Sequence, residues 1–569
     1  HSQERWNAAS FFRKQLYYQS IAQAESQGDA ALVSKLKAAG VSPPGHGNKY
    51  QFSLGGPVVL PKLIDGRNRL FFFISYNAIR DRKNTAPGNE LFTVPTMANR
   101  AGDFSGLLNI NAQYQIYDPL SVKADPARAG HYIRTPFPGN IVAPSRIINP
   151  AYQAYLKILP IPNNDPLDPG QEPVNNLNNA RGPWSIDYDA VSNRIDYQTS
   201  TQHRFFARWS WNSFLEDQDD WTWSSARGLH SSMLTRPNLS ATFDLVYTPG
   251  AKTVLDCTLS SSSYTDGGAK TVPISYKPSD VGLPTYMDQK AGAYHSLPSM
   301  DFSGYQAFST AYPSLTHTRQ LTAKADISQV RGSHSLRAGF DQRAHFRTIS
   351  MSGTLSGSFG FTNSYTRRND DTLTPAGSLG LSWAAFMLGI PSTLSIATND
   401  TYATYNPAYG AYIQDNWRLT ANLSLNLGLR WEYEDGPTER FNRQISYFDA
   451  KAQIPIAGGA QAAYAARPVP ELPASQFVAL GGSLYAGVNG VDRRRWGGQK
   501  VWMPRFSAAY QLNSKTALRG GYGMFFDTLN VMNFTPDQTG YSRATSTNLT
   551  DDFGVTWRAG NPGAGISPM

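Results

Sequence analysis

Positions 423 to 433 alternate without a break. Leu423, Leu425, Leu427, Leu429, Trp431 and Tyr433 take the odd positions, and Ser424, Asn426, Gly428, Arg430 and Glu432 the even ones. A helix would spread these residues around its circumference, whereas a strand sorts them onto two faces. The same sorting recurs elsewhere. Leu336, Ala338, Phe340, Ala344 and Phe346 alternate with Arg337, Gly339, Asp341, Arg343 and His345, with Gln342 the exception. Leu239, Ala241, Phe243, Leu245 and Tyr247 alternate with Asn238, Ser240, Thr242 and Asp244 until Val246 interrupts. Leu321, Ala323, Ala325 and Ile327 alternate with Thr322, Lys324, Asp326 and Ser328. Looser versions predict strands over 70–78, 205–212, 506–512 and 518–526. Such segments have about the 9–11 residues of a membrane-spanning strand.

The connections fall into two classes. Those at 248–252, 331–333, 419–422 and 513–515 are short and use Gly, Pro, Asn and Ser, which suit tight reversals. Between them run long segments, 81–192, 265–316 and 435–502. The stretch 348–407 is mixed, with extra strands expected at 356–361 and 394–402. An outer-membrane barrel has short periplasmic turns and long extracellular loops. A soluble sandwich turns every ~8–12 residues and a propeller repeats every ~40–50, and this chain follows neither pattern. The predicted fold is all-β, a transmembrane antiparallel β-barrel, with 1–569 forming one partial barrel domain. Trp209, Trp211, Trp417, Trp431, Tyr433, Phe525 and Phe526 fall near strand ends, where interfacial girdles belong. In a soluble protein the same residues would be core packing. One helix is expected over 30–39, capped by Asp29 and stopped by Gly40 and the Pro43-Pro44 pair.

Composition narrows the choice. The 569 residues carry 51 Lys and Arg against 42 Asp and Glu, a net charge of +9. Charged residues make up 16%, below the roughly 25% of soluble domains. A chain with 12 Trp, 30 Tyr and 28 Phe is not a disordered one. Lipid-facing strand positions account for the low charge, and polar lumen positions and loops for the mean hydropathy of −0.40. No apolar run approaches the ~18 residues of a membrane helix; the best, 70–74, ends at Ser75. The single Cys257 excludes an intrachain disulfide framework and a zinc site built on several thiolates. The tight basic run Arg493-Arg494-Arg495 lies in Gly-rich loop sequence and reads as a solvated or anion-facing loop, so no nucleic-acid partner is expected.

Catalytic chemistry is not legible. None of the nine histidines (1, 46, 131, 203, 230, 295, 317, 334 and 345) forms an HExxH or HxH pair. There is no phosphate-binding GxxxxGK[ST] and no GxSxG elbow. Cys257 follows Asp256 in a Ser-rich strand and reads as a small strand residue. The chain is therefore expected not to be an enzyme, with no catalytic residue, cofactor or metal assigned. The acidic run Glu216, Asp217, Asp219 and Asp220, followed by Trp221 and Trp223, offers oxygen ligands for Ca²⁺, although a solvated loop tip is the preferred reading. Arg208, Lys324, Asp326, Arg337, Arg430 and Glu432 fall on the polar strand faces. They are expected to pair across strands, and none is assigned to a solute.

The segment GAYIQDNWRLTANLSLNLGLRWEY (410–433) resembles a barrel hairpin of TonB-dependent outer-membrane receptors, and MPRFSAAYQLNSKTALRGGYGMFFD (503–527) a second. YQFSLGGPVVLPKLIDGRNRLFFFISYNAIR (50–80) resembles the first long hairpin of the Oar-like subgroup common in acidobacteria. TVPTMANRAGDFSG, IYDPLS and RTPFPGNIVAPSRIINP, within 93–150, are similar to that subgroup too. The resemblance implies a plugged barrel of about 22 strands in the outer membrane of a Gram-negative cell. Its partners would be outer-membrane lipid, an extracellular solute and the TonB–ExbB–ExbD complex, which drives import through the plug. About a dozen to fourteen strands are legible. No signal peptide, plug, TonB-contacting box or terminal aromatic strand is recognisable, and the usual N-terminal regulatory-like domain is not seen. SQERWNAASFFRKQ (2–15) resembles the first barrel strand, and 560–569 a mid-barrel loop, so the chain is expected to be part of a longer protein. An adhesion or secretion-linked barrel and a secreted carbohydrate-binding β protein are the rival readings.

Overall fold

The computed structural model describes residues 11–26, 45–84, 90–159, 161–164, 170–179, 183–218, 232–269, 277–291, 297–308, 314–351, 354–398, 401–528 and 534–558, with positions 30, 33, 34 and 37. Helix α1 (Phe11–Ser26) comes first. Twelve long strands follow: β1 (His46–Pro57), β2 (Leu70–Asn84), β3 (Pro183–Gln198), β4 (His203–Gln218), β5 (Asn238–Gly250) and β6 (Thr253–Ala269) in the first half. The second half holds β7 (Ser314–Arg331), β8 (His334–Met351), β9 (Tyr402–Arg418), β10 (Leu423–Glu434), β11 (Gln499–Asn513) and β12 (Thr516–Gly523). Each pairs antiparallel with the next in one up-and-down path. With the short strands Ser232–Thr235 and Thr438–Glu439 the sheet has 14 strands. Among the described residues the path is open, with β1 and β12 at its ends.

The register makes the alternation physical. Trp431 lies opposite Ala411 and Trp502, and Leu429 opposite Ile413 and Pro504, so the apolar sets of neighbouring strands share one outer face. Leu427, Leu429, Ile413 and Phe506 stand exposed there, as lipid contact requires. Trp211, Gln342, Trp431 and Trp502 each lie eight positions from His203, His334, Leu423 and Tyr510 at the short-turn ends of their strands. They therefore mark one level, the upper girdle, and Gln342 interrupts its strand there, where a polar group meets water. Above that level the outer face turns ionic: Arg80 reaches Asp189 at 2.7 Å and Arg82 reaches Asp187 at 2.7 Å.

This ionic extension explains why strands outrun the sequence pattern. β3 starts at Pro183, inside the stretch 81–192; β6 runs to Ala269 and β7 starts at Ser314; β11 starts at Gln499. Beyond the girdle the outer face is no longer uniformly apolar, so ladder pairing continues where the outward apolar alternation has stopped; in β3 Ile186, Tyr188 and Ala190 turn inward and Asp187 and Asp189 outward. Two expectations are corrected. Residues 11–15 belong to α1 and not to a first barrel strand, because FFRKQLYYQSIAQAES has no period of two and is rich in helix formers. β12 ends at Gly523, which leaves Phe525 and Phe526 exposed beyond it. Residues 1–10 lie outside the described residues, as does most of the helix expected at 30–39; its positions 30, 33, 34 and 37 are helical.

Three of the long connections do not hang as separate loops. Residues from the β2–β3, β6–β7 and β8–β9 connections share one hydrophobic core, joined by Leu549 and Trp557 from beyond β12. Its centre is helix α3 (Leu381–Met387), every residue of which is buried, while α2 (Ala151–Ile158) contributes Tyr152 and Tyr155. Gly380 starts α3 at φ 80°, and a Cβ there would stand 2.6 Å from Leu107 Cδ1. Gly389 at φ 69° and Pro391 end it. Trp383 meets Phe302 at 5.2 Å and Phe386 meets Phe361 at 5.2 Å between ring centres. Burial of each such ring is worth about 1.5–3 kcal/mol. The strands expected near 356–361 and 394–402 form, as Ser358–Phe361 and Thr393–Thr398, but they leave the main sheet. They build a four-stranded sheet with Ser299–Phe302 and Arg543–Thr547. The loops are thus a folded cap at the end of the sheet opposite the short turns.

Candidate functional site: a polar wall beneath a loop cap

The inner face of the sheet carries its charge as cross-strand networks. Register places Lys324 of β7, Asp341 of β8, Gly410 of β9 and Glu432 of β10 side by side. One step along, Asp326, Gly339, Tyr412 and Arg430 form the adjoining row. Arg430 reaches across Gly410 to Asp341 at 2.7 Å and holds Glu432 at 2.5 Å. Arg343 completes this group with Asp341 at 3.3 Å and Glu432 at 3.4 Å. Asp326, which is buried, accepts from Lys324 and from the Tyr412 hydroxyl, with Arg337 3.8 Å away. The two glycines are what let these side chains lie flat on the wall. A Cβ on Gly410 would collide with the Arg430 guanidinium, and one on Gly339 with Asp326 and the Tyr412 ring.

Of the six polar-face residues singled out in the sequence, Lys324, Asp326 and Arg337 thus form one group. Arg430 and Glu432 belong to a second. Arg208 stands apart, opposite Arg194, whose own guanidinium is taken by Asp196 at 2.7 Å and lies 4.1 Å above the Phe206 ring. Asp341 and Arg343 were legible as polar alternation positions but not as partners of Arg430, since pairing depends on register. Tyr412 carries no sequence signal of its own, because it sits beside Ile413 where β9 alternates poorly.

The cap is held by buried polar groups. Asn140, fully buried at φ 60°, donates to the Phe104 and Tyr114 carbonyls and accepts from the Ile116 N–H at 2.7 Å. Arg134 donates to the carbonyls of Arg367 and Asn369 at 3.0 Å and to that of Phe553, tying the segment beyond β12 to the cap. Burial pushes the Arg134 guanidinium down to about 10 and the Tyr152 and Tyr305 phenols up to about 12. Where the first loop meets the third, His131 Nδ1 lies 3.2 Å from Asp370 and 3.5 Å from Asp371. These three residues are the one group among those described whose ligand atoms cluster as a metal site would. Arg128 already donates to Asp371 at 2.7 Å and holds it below the usual carboxylate range, so the arrangement is an ionic clasp between loops. The acidic run near 216–220 begins as strand, with Glu216 and Asp217 inside β4, and Asp219, Asp220, Trp221 and Trp223 lie outside the described residues.

A one-sided arrangement of short turns below and a cored loop cap above, around a sheet apolar outside and ionic inside, defines the wall of an outer-membrane barrel. The chain belongs to the outer membrane beta barrel domain family, whose model matches residues 26–567. Among solved structures it is similar to the outer membrane transporter YddB of Escherichia coli, with a TM-score of 0.37 and 9% identity over 84% of this chain and 46% of that one. It is similar also to the ferric enterobactin receptor PfeA of Pseudomonas aeruginosa, at a TM-score of 0.33 and 9% identity over 84% and 41%. The ferric yersiniabactin uptake receptor FyuA of Yersinia pestis gives a TM-score of 0.33 and 9% identity over 83% and 44%. The chain spans less than half the length of these receptors. No curated protein matches it in sequence.

Proposed function

We propose that this chain is the wall and extracellular cap of an Oar-like TonB-dependent receptor, a protein that binds and imports solute and is not an enzyme. In this reading the parent protein supplies further barrel strands and a plug. The cap captures a solute outside, and the TonB–ExbB–ExbD complex drives it past the plug along the ionic inner wall. The hairpins at 410–433 and 503–527 support the receptor family, and the hairpin at 50–80 with the motifs within 93–150 supports the subgroup. The observation that carries the proposal is the cap itself: three loops and the segment beyond β12 share one core above a charged wall. An adhesin would need only an exposed outer surface, and its inner wall could be inert.

The test uses cells producing the whole parent protein, with and without a functional TonB complex. Radiolabelled ferric siderophores, oligosaccharides, peptides and a vitamin are offered in parallel. Accumulation of one class that stops when the TonB complex is removed supports import. Surface binding without accumulation of any class in either strain would assign adhesion instead.

A further inference from the structure

The outer face of β4 to β8 is not uniformly filled. Register aligns Trp209, Ala241, Ser261, Leu321 and Ala344 in one row and Ala207, Phe243, Leu259, Ala323 and Gln342 in the next. The small side chains of these rows sit between the large ones and leave a groove of about 670 Å³. That volume lies within the roughly 300–1,000 Å³ of small-molecule sites. The groove is set in the upper half of the apolar band, the half nearer the cap, with Gln342 at girdle level on its wall.

What stands above it is a cation. Arg319 occupies the next outer-face row, opposite Ser263 and Phe346, and is exposed. Among the described residues it has no ion-pair partner, whereas Arg80 and Arg82 on the same outer rim are both matched to Asp187 and Asp189. Two positions further, His317 shares the face, its Nδ1 held by the Thr265 hydroxyl at 2.9 Å. The direct cross-strand neighbours of Arg319 and His317 in these two rim rows are Ser263 and Thr265 of β6 and Phe346 and Thr348 of β8, and none is acidic. An unanswered cation at the membrane surface, directly over an apolar groove, is complementary to an anionic amphiphile.

The geometry points to a binding site for one phosphate-bearing lipid of net negative charge at the cap-side surface of the membrane. Its phosphate sits on Arg319, with His317 beside it, and an acyl chain runs down the groove past Leu321, Ala323 and Gln342. The ligand is the whole amphiphile: the phosphate gives orientation and charge selection, and the chain fills the space between Trp209, Phe243 and Leu259. Such a lipid would brace the strands that carry the second and third loops into the cap.

The experiment is native mass spectrometry of the full chain, purified in a neutral detergent and offered phosphatidylglycerol or phosphatidylcholine at equal concentration. One phosphatidylglycerol is expected to remain bound, and phosphatidylcholine is not. Arg319→Gln should lower retention about tenfold, the worth of one charge-assisted contact. Ala323→Phe, a lipid-facing change that fills the groove, should lower it as much while leaving the circular dichroism spectrum of the sheet unchanged. Glycerol phosphate, which has the charge without the chain, should not compete. Equal retention of both lipids, undiminished retention by either variant, or displacement by glycerol phosphate would each overturn the site.

Discussion

The side-chain amide of Asn149 donates to the Phe386 carbonyl 2.6 Å away, across 237 positions of sequence. The same residue accepts from the Ala151 N–H at 3.0 Å, so it starts α2 and closes α3 at once. Asn149→Ala removes one of two donors to the buried Phe386 carbonyl, which keeps the Gly389 N–H at 3.0 Å, and takes the acceptor from the Ala151 N–H, at a cost of about 1 kcal/mol. Hydrogen exchange of the α3 amides should accelerate accordingly, while exchange in β7 to β10 stays unchanged. Acceleration of both alike would show that cap and sheet open as one unit.

Asn140 answers two carbonyls and an N–H inside the first loop. Asn140→Leu removes all of these partners and puts a branched side chain at a left-handed position, so the cap should lose several kcal/mol, roughly the upper range for buried polar deletions. Limited proteolysis is the readout. Cleavage between 93 and 159 should appear in the variant under conditions that leave the native chain intact.

On the wall, Gly339→Val places two methyl groups where Asp326 and the Tyr412 ring lie. The β7–β8–β9 register cannot hold both. Recovery of folded sheet from urea into detergent, followed by circular dichroism, should fall sharply for Gly339→Val. For Gly56→Val, where nothing stands within 4 Å, recovery should stay near the native level.

The two strand faces differ in what they tolerate. Leu427→Arg, midway between Leu423 and the girdle residue Trp431, exposes a charge to lipid near mid-band and should cost about 2–4 kcal/mol of stability in bilayers. Asn426→Arg, on the inner face of the same strand, should cost little. Comparable losses for both would contradict the assignment of faces.

The loop clasp should depend on acid. Asp371 is held low by Arg128, and Asp125 by the Ala127 N–H and then Arg128. A carboxyl group lowered in the folded state contributes stability above its unfolded value, near ~3.9, and loses it as pH falls through the lower folded value. The junction at His131 should therefore be intact at pH 6 and loosen below about pH 4. A fluorophore attached near residue 371 should report that loosening, and the Arg128→Gln variant should loosen at a higher pH.

How much was legible follows from the range of each interaction. The strands over 239–247, 321–327, 336–346 and 423–433 were readable because burial against lipid acts residue by residue and writes a period of two directly into the chain. The short turns were readable for a similar reason: they demand Gly, Pro, Asn and Ser locally. In β3 above Val191 the period inverts, with Asp187 and Asp189 outside and Ile186, Tyr188 and Ala190 inside, so the outward apolar signal is lost although pairing continues, and the boundaries moved. Lys324, Arg430 and Glu432 could be placed on a face, but only register could say which carboxylate each would meet. The cap was hidden altogether. Trp383, Phe302 and Tyr155 come from three connections far apart in sequence, and nothing local to any of them announces a shared core. The sequence by itself determined the strands, their faces and the side on which the loops emerge, because those depend on neighbours two or four residues away. Only the tertiary structure decided that three of the loops fold together, that the ionic wall closes into networks and that Arg319, without an ion-pair partner among the described residues, stands above a groove. Each of these depends on residues brought side by side by pairing between strands, and strand pairing is a relation between distant parts of the chain.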